Sequence, residues 1–296
     1  MTGKKSSFGY VAIIGRPNVG KSTLLNRLVG EKLAGVSPKP QTTRSPVRGI
    51  LTRKEGQVVF LDTPGLHTPR DLLGDWMLKE IEKSLEGTDL IYWMVLPEPP
   101  RREEEKILDL LRRQSAPVFL LVNQVDRFPK PQALPVLAHY QKAFNFCELI
   151  PISAKTGEQL ELVLQKTFER LPEGERQFPE DQISDQNERF LVGEMIREKI
   201  FQATGEEIPY ASAVIIEDFK ERSEKMVEIQ ATVVVERDSQ KAILIGKGGQ
   251  KMKAIGQSAR LAIEKFLGRK VFLQMWVKTL PHWKRDAQAL RRLGFQ

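Results

Sequence analysis

The sequence predicts an α/β domain with a mostly parallel sheet, followed by a smaller α+β domain. Three observations carry this prediction. Short apolar runs alternate with stretches of helical spacing through the first half, a pattern typical of parallel sheets covered by helices. A stretch rich in Glu, Asp, Pro and Gly follows at 172–185, and two strands in direct succession come after it. We therefore place the domains at 1–172 and 188–296, with a linker at 173–187.

The first domain is expected to alternate strands with helices. The predicted strands, each a short apolar run, are 10–15, 58–62, 89–96, 117–122 and 148–152. The predicted helices, in which apolar residues recur at helical spacing, are 21–29, 72–86, 102–113, 134–144 and 159–170. This alternation predicts helices on both faces of the sheet.

The second domain has another order of elements, α-β-β-α-α-β. They are a helix at 188–204, strands at 211–220 and 226–236, helices at 240–245 and 250–267, and a strand at 271–279. The consecutive strands can form an antiparallel hairpin, with the helices on one face. The basic tail 282–293 is a further helix candidate. We expect its apolar residues to pack on this domain, and a helix lying on a membrane surface is the alternative.

The composition is that of an ordinary globular protein, with 41% hydrophobic and 28% charged residues. Cys147 is the single cysteine, which excludes an internal disulfide, and no Cys and His cluster suggests structural zinc. The most apolar stretch, 90–96, falls far below the roughly 18–20 residues that cross a bilayer. The N-terminus lacks the apolar length of a secretory signal. These features predict a cytoplasmic protein.

The net charge of +8 is unevenly distributed. Residues 1–172 carry +6, residues 173–238 carry −9 and residues 239–296 carry +11. In the last segment, thirteen basic residues face two acidic ones, Glu264 and Asp286. Such a density creates a strong positive potential, for which a polyanion is the natural partner. A solvated basic surface without a ligand is the alternative.

Residues 15–22 fit the phosphate-binding pattern G-x-x-x-x-G-K-[ST], directly between the first predicted strand and the first predicted helix. In such a loop, backbone N–H groups and the helix N-terminus face the phosphates. We expect Lys21 to contact the β- and γ-phosphates and Ser22 to offer its hydroxyl to Mg²⁺. The nucleotide-binding candidates here are Gly15, Arg16, Pro17, Asn18, Val19, Gly20, Lys21, Ser22 and Thr23.

Three further motifs follow predicted strands. Asp62-Thr63-Pro64-Gly65 places a carboxylate at a strand end, where we expect Asp62 in the Mg²⁺ shell and the Gly65 N–H on the γ-phosphate. Asn123-Gln124-Val125-Asp126 offers Asp126 to guanine N1–H and the exocyclic amine, groups that adenine lacks. Ser153-Ala154-Lys155 can add a backbone N–H to guanine O6. Each motif is weak alone, but four in this order indicate a guanine nucleotide site.

With these motifs, residues 10–172 resemble the translation-factor-related GTPases. The resemblance implies GTP or GDP with Mg²⁺, GTP hydrolysis, and a switch threonine that closes over the metal. In Gln41-Thr42-Thr43-Arg44 we choose Thr43, with Thr42 as the alternative. The implied catalytic set is Lys21, Thr43, Asp62 and Gly65, the metal set is Ser22, Thr43 and Asp62, and the nucleotide set also includes Thr63, Pro64, Leu66, Asn123, Gln124, Asp126, Ser153, Ala154 and Lys155.

Two positions qualify this resemblance. Gln124 replaces the lysine usual in the family, which is expected to weaken nucleotide affinity while Asp126 keeps base specificity. Leu66 stands where many relatives have a water-orienting glutamine, and an aliphatic side chain cannot aim a water. We therefore expect slow intrinsic hydrolysis that a partner or K⁺ stimulates. Asn18 resembles the residue that helps to hold K⁺ in some relatives.

Gly246-Lys247-Gly248-Gly249 lies between two predicted helices within the basic segment. With the α-β-β-α-α-β order it resembles the GxxG loop of a type II KH domain, which clamps the backbone of about four single-stranded nucleotides. Lysines in and after this loop supply positive charge. Neighbouring isoleucines can line the groove in which bases lie, although most of them can equally be buried in the hydrophobic core. The RNA-binding candidates are Ile243, Ile245, Gly246, Lys247, Gly248, Gly249, Lys251 and Lys253.

A phosphate-loop GTPase joined to a KH domain resembles the Era-like family of bacterial GTPases, and the likeness runs the whole length of the chain. It implies binding to the 3′ end of 16S rRNA, a role in assembly of the small (30S) ribosomal subunit, and a cytoplasmic monomer. A peripheral contact with the inner face of the cell membrane stays open. The alternatives are a membrane-recruited signalling GTPase and an RNA chaperone whose nucleotide is structural.

Overall fold

The computed structural model describes residues 6–205 and 207–295. The chain forms two compact units. The first unit comprises the described parts of Met1–Ala34, Thr43–Thr68 and Met77–Asp185. The second comprises those of Gly35–Thr42, Pro69–Trp76 and Gln186–Gln296. Two short segments of the predicted first domain therefore belong to the second unit.

The first unit contains a six-stranded sheet in the order β2-β3-β1-β4-β5-β6. The strands are β1 (Ser7–Ile14), β2 (Val47–Arg53), β3 (Gly56–Asp62), β4 (Leu90–Val95), β5 (Val118–Val122) and β6 (Glu148–Pro151). All neighbouring pairs are parallel except β2 with β3, which is antiparallel. The prediction of a mostly parallel sheet is confirmed. The prediction did not include β2, whose apolar residues Val47 and Ile50 are separated by Arg48 and Gly49.

Helices connect the strands of this sheet. They are α1 (Lys21–Val29), α2 (Leu72–Leu85), α3 (Arg102–Leu111), α4 (Ala133–Ala143) and α5 (Leu160–Arg170). Each begins within one residue of its predicted start and ends within two residues of its predicted end. All residues of β4 and β5 are buried, since helices cover both faces of a parallel sheet.

The segment predicted as a linker, 173–187, lies mostly in the first unit, which extends to Asp185. The amide of Gly174 donates to the carbonyl of Ser6 at 2.9 Å, and the amide of Ile50 in β2 donates to the carbonyl of Ile183 at 2.8 Å. This polar segment therefore makes backbone hydrogen bonds with the residue before β1 and with the edge strand β2.

The second unit contains a three-stranded sheet, β7 (Ala213–Ser223), β8 (Met226–Val235) and β9 (Lys270–Thr279), in that order. β7 and β8 are antiparallel, whereas β8 and β9 are parallel. Its helices are α6 (Glu188–Ala203), α7 (Ile208–Ala211), α8 (Asp238–Ile245), α9 (Gln250–Leu267) and α10 (Ala287–Arg292). The predicted order is confirmed, with α7 added.

The core of the second unit lies between this sheet and helices α6 and α9. Ile196 of α6, Ile255 and Ile263 of α9, and Ile229 of β8 are buried together. The tail packs on the same unit. Trp283 is fully buried, its indole N–H donates to the carbonyl of Ala211 at 3.0 Å, and α10 buries Leu290.

In the part of the chain that the structure describes, no helix combines the length and the apolar character needed to span a membrane.

Replacing Trp283 with alanine should destabilise the second unit by about 3–5 kcal/mol, the usual cost of removing a large buried aromatic side chain. Urea denaturation followed by far-UV circular dichroism measures this. The control is Trp283→Phe, which keeps most of the buried area and loses the hydrogen bond to Ala211. An unchanged urea midpoint for Trp283→Ala would show that the tail does not pack as described.

Candidate nucleotide site and nucleic-acid groove

The phosphate loop joins β1 to α1 through a backbone turn that ordinary residues rarely adopt. Gly15 has φ 155° and Gly20 has φ 100°. A Cβ on Gly15 would lie 2.5 Å from the carbonyl oxygen of Met94. Glycine is therefore required at this position by both conformation and space. The turn delivers the chain into α1 at Lys21, where the helix N-terminus favours anions.

Lys21 lies on the concave side of this loop. Its ammonium donates to the carbonyls of Gly15 at 3.2 Å and Arg16 at 3.1 Å. Burial lowers the pKa of Lys21 from 10.5 to about 8, although the nearby Asp62 carboxylate acts to raise it. A buried ammonium with a lowered pKa is suited to bind an anion, since an added negative charge stabilises its protonated form.

Three oxygen-bearing side chains converge beside the loop. The hydroxyl of Ser22 donates to Asp62 Oδ2 at 2.7 Å and lies 2.9 Å from the hydroxyl of Thr43, which is itself 3.2 Å from Asp62 Oδ2. Asp62 is fully buried at the end of β3. Hard oxygen donors are the ligands that Mg²⁺ prefers, so this set fits the predicted metal. The hydroxyl of Thr42 donates instead to the carbonyl of Lys39 at 2.9 Å, which favours Thr43.

The segment after Asp62 approaches the phosphate loop through its backbone. A Cβ on Gly65 would lie 2.7 Å from Pro17 Cα, and the amide of Leu66 donates to the carbonyl of Gly15 at 3.1 Å. The side chain of Leu66 is buried in the core. The hydroxyl of Thr63 donates to the carbonyl of Ile13. The side chains of Leu66 and Thr63 therefore support the fold, and the contact of the Gly65 amide with the γ-phosphate stays a prediction.

The base-recognition motifs meet at Asn123. Its amide nitrogen donates to the carbonyl of Val19 at 2.7 Å, and its amide oxygen accepts from the backbone N–H of Ala154 at 2.9 Å. Ser153 donates to Asp126 Oδ1 at 2.7 Å. The buried Asn123 side chain thus connects the phosphate loop to the Ser153–Lys155 turn, and the carboxylate of Asp126 lies beside that turn.

Gln124, in place of the family lysine, has φ 70° and donates from its side chain to the carbonyl of Asn18 at 3.3 Å. It thus keeps a contact with the phosphate loop. Lys155 is exposed, and Thr23 is half-buried in the first turn of α1.

Arg16 has a role that the motif does not reveal. Its buried guanidinium lies 2.8 Å from Glu98 and 3.2 Å from Glu104, the latter in the first turn of α3. The hydrogen bond from Arg16 is the largest cause that lowers the pKa of Glu98, whereas burial raises that of Glu104. The side chain of Arg16 thus connects the phosphate loop to α3 and the segment before it, and its guanidinium is paired with two carboxylates.

In the second unit, the Gly246–Gly249 loop joins α8 to α9. Gly246, Gly248 and Gly249 all have positive φ angles, 74°, 58° and 77°. Nothing lies within 4 Å of a Cβ placed on Gly248. Gly248 and Lys247 are exposed. The loop is therefore an open turn whose backbone a phosphate can approach closely.

A groove of about 800 Å³ runs beside this loop, between α9 and β9. The predicted residues Ile245, Gly249 and Lys253 line it. Sequence reasoning missed Arg260, two turns after Lys253 on α9, and Trp276 on β9. Trp276 is an aromatic residue on the edge strand β9, which is the sequence feature that could have indicated it. Its side chain is 45% exposed. Ile243 is 52% exposed on α8 and lies outside the groove lining.

Two family models match the chain. Residues 10–124 match the 50S ribosome-binding GTPases, and residues 207–284 match the KH domain.

Two solved structures are similar over nearly the full length. The crystal structure of Era in complex with MgGDPNP and nucleotides 1506–1542 of 16S ribosomal RNA is 39% identical, with a TM-score of 0.94. A variant of Aquifex aeolicus Era bound to GDP and aluminium fluoride is 40% identical, with a TM-score of 0.93. Each alignment covers 98% of this chain and 99% of the other. The chain therefore belongs to the Era family of GTPases.

Proposed function

We propose that this protein is a GTPase that binds the single-stranded 3′ end of 16S rRNA and acts in assembly of the small ribosomal subunit. One observation carries the proposal. A guanine nucleotide site and a GxxG groove occur in one chain that aligns over 98% of its length with Era bound to both a GTP analogue and this RNA. The family membership makes the protein a GTP-hydrolysing enzyme.

The nucleotide site divides its tasks among few side chains. Lys21 and the backbone of the phosphate loop hold the β- and γ-phosphates, and Asp126 selects guanine. Ser22, Thr43 and Asp62 hold Mg²⁺, which would neutralise the charge that develops on the phosphates. Leu66 is buried and aliphatic, so it cannot orient a water, and intrinsic hydrolysis is therefore slow. RNA bound to the second unit accelerates hydrolysis in this proposal. We also propose that a K⁺ ion bound near Asn18 stimulates GTP hydrolysis.

The groove of the second unit binds the RNA. The open glycine loop lets the sugar-phosphate backbone approach, and Lys247, Lys251 and Lys253 supply positive charge. Trp276 offers an exposed ring on which a base can stack, and Arg260 adds a further cation at the groove. Affinity arises from phosphates and specificity from bases, so binding should weaken steeply with salt.

GTP occupancy and RNA binding are coupled in this proposal. Loss of the γ-phosphate releases the loop that ends at Thr43 and the segment after Gly65, so that hydrolysis becomes a change of shape. Linkage then requires RNA to favour GTP by the same factor by which GTP favours RNA.

We place the protein in the cytoplasm as a monomer. The membrane-recruited alternative relies on an amphipathic tail helix with an apolar face open to lipid. Trp283 and Leu290, the tail residues that such a face would use, are buried in the second unit. This burial supports the cytoplasmic reading.

The lowered pKa of Lys21 gives a pH prediction. At about pH 8.5 most of the empty protein has a neutral Lys21, since its pKa is about 8. Polyphosphate binding restores the charged form, so GDP binding should take up most of one proton, and affinity should fall as pH rises above 8. Calorimetry in two buffers of different ionisation enthalpy measures this uptake. Lys21→Arg, which stays charged at this pH, is the control, and equal uptake by both proteins would contradict the prediction.

Gly248 allows a sharp test of the RNA groove. Gly248→Asp places an anion in the phosphate clamp without a steric clash, and should weaken binding of a 16S 3′-terminal oligonucleotide by at least about tenfold, since one phosphate contact becomes repulsive. Gly248→Asn is the matched control, because asparagine has the same shape, carries no charge and tolerates positive φ. Equal affinities for the two variants, measured by fluorescence anisotropy, would remove the loop from RNA binding.

The function itself is tested by GTP hydrolysis with and without that oligonucleotide. We expect RNA to raise the turnover number, and a scrambled oligonucleotide of the same length to do so less. Lys21→Ala should abolish both rates. A turnover number that no RNA changes would argue for the chaperone alternative, in which the nucleotide is structural.

A further inference from the structure

The second residue of the phosphate loop, Arg16, is held through both its backbone and its side chain. Its carbonyl accepts from the ammonium of Lys21 at 3.1 Å, whereas its guanidinium lies 2.8 Å from Glu98 and 3.2 Å from Glu104. The side chain of Arg16 is 7% exposed and that of Glu104 is 3% exposed. All four residues belong to the first unit. The partners of one buried guanidinium therefore constrain the backbone that faces Lys21.

Glu104 uses its two carboxylate oxygens for different partners. Its Oε2 accepts from the backbone N–H of Arg101 at 2.5 Å, at the beginning of α3, and its Oε1 lies 3.2 Å from Arg16 Nε. A carboxylate is favoured at this place by the helix N-terminus. Glu98 is more exposed, at 28%, and also accepts from the guanidinium of Arg101 at 2.8 Å. Glu104 is therefore the buried partner of Arg16 and is itself fixed by the helix.

The backbone next to Arg16 is closely packed. Pro17 follows Arg16, and a Cβ on Gly65 would lie 2.7 Å from both the Cα and the backbone nitrogen of Pro17. The proline also restricts the backbone conformation of the residue before it. A displacement of Arg16 would therefore disturb its hydrogen bond with Lys21 and the packing on Gly65 together. Both of these residues are expected to contact the phosphates.

We propose that Glu104 is a positioning residue for the polyphosphate of the nucleotide. Its ion pair with Arg16 fixes the curve of the loop, whose backbone N–H groups face the β-phosphate. Without Glu104, the buried guanidinium would lose one of its two carboxylates, a costly change that a movement of the loop would relieve. Glu104 thus contributes to the affinity for GDP and for GTP alike. The inference rests on the proposed assignment of the phosphates to this loop.

The test is a double-mutant cycle on the full chain, with GDP affinity in the presence of Mg²⁺ as the measurement. Glu104→Ala and Arg16→Ala should each weaken GDP binding by about tenfold, a size typical of residues that orient a binding group from behind it. Since both changes interrupt the same series of contacts, the double variant should lose no more than the weaker-binding single variant. Losses that multiply in the double variant, or full affinity in Glu104→Ala, would overturn the inference.

Two controls separate positioning from charge and from a general distortion of the site. Glu105→Gln removes a charge from an exposed side chain in the same turn of α3 and should leave GDP binding unchanged, since exposed charges contribute little. GMP lacks the β-phosphate, so Glu104→Ala should weaken its binding much less than that of GDP. An equal loss for GMP and GDP would contradict the proposal.

Glu104→Gln provides a second route should Glu104→Ala fail to fold. It keeps the shape of the side chain and an acceptor for the Arg101 N–H, and removes the charge that pairs with Arg16. A loss of GDP affinity in the same direction, although smaller, is expected, and full affinity in the folded variant would overturn the inference. The unaltered protein is measured in parallel. If it neither binds GDP nor hydrolyses GTP, the proposed function itself fails, whereas normal values beside an unaffected Glu104 variant remove only this inference.

Discussion

The first unit depends on the polar cluster that Ser22, Thr43 and Asp62 form beside the phosphate loop. The Ser22 hydroxyl donates to the fully buried carboxylate of Asp62 at 2.7 Å, and the Thr43 hydroxyl lies within hydrogen-bond distance of both residues. A buried carboxylate is costly unless hydrogen bonds or a cation compensate for the lost water. The three residues come from the first turn of α1, the loop before β2 and the end of β3, so the position of each of these segments constrains the other two.

The phosphate loop shows why a motif predicts some contacts and not others. Its glycines are needed for local backbone reasons, so the sequence pattern identified the loop, the start of α1 and the place of Lys21. The side chain of Arg16 instead contacts Glu98 and Glu104, more than eighty residues later. A motif of eight consecutive residues contains no information on contacts with residues so far along the chain. The prediction therefore assigned Arg16 to the nucleotide without distinguishing its backbone from its guanidinium.

The same distinction holds for the fold and for the groove. The helices and buried strands follow from apolar periodicity, whereas β2 is an edge strand whose pairing with β3 is set by tertiary contact rather than by its own pattern. The segment predicted as a linker is polar, but its backbone makes hydrogen bonds with the residue before β1 and with β2, and composition carries no information on such contacts. Trp276 lies on β9, whereas Lys253 and Arg260 lie on α9, so only the folded unit brings Trp276 into the groove beside them.

In the proposed function, a triphosphate bound to the first unit changes the affinity of the second unit for RNA. The most direct measurement is the affinity of a fluorescent 16S 3′-terminal oligonucleotide for the full chain in the nucleotide-free, GDP-bound and GTP-analogue-bound states, at one salt concentration. We expect the tightest binding with the analogue and Mg²⁺, by about fivefold or more over GDP, since couplings between sites are usually of this size. Identical affinities in all three states would contradict it.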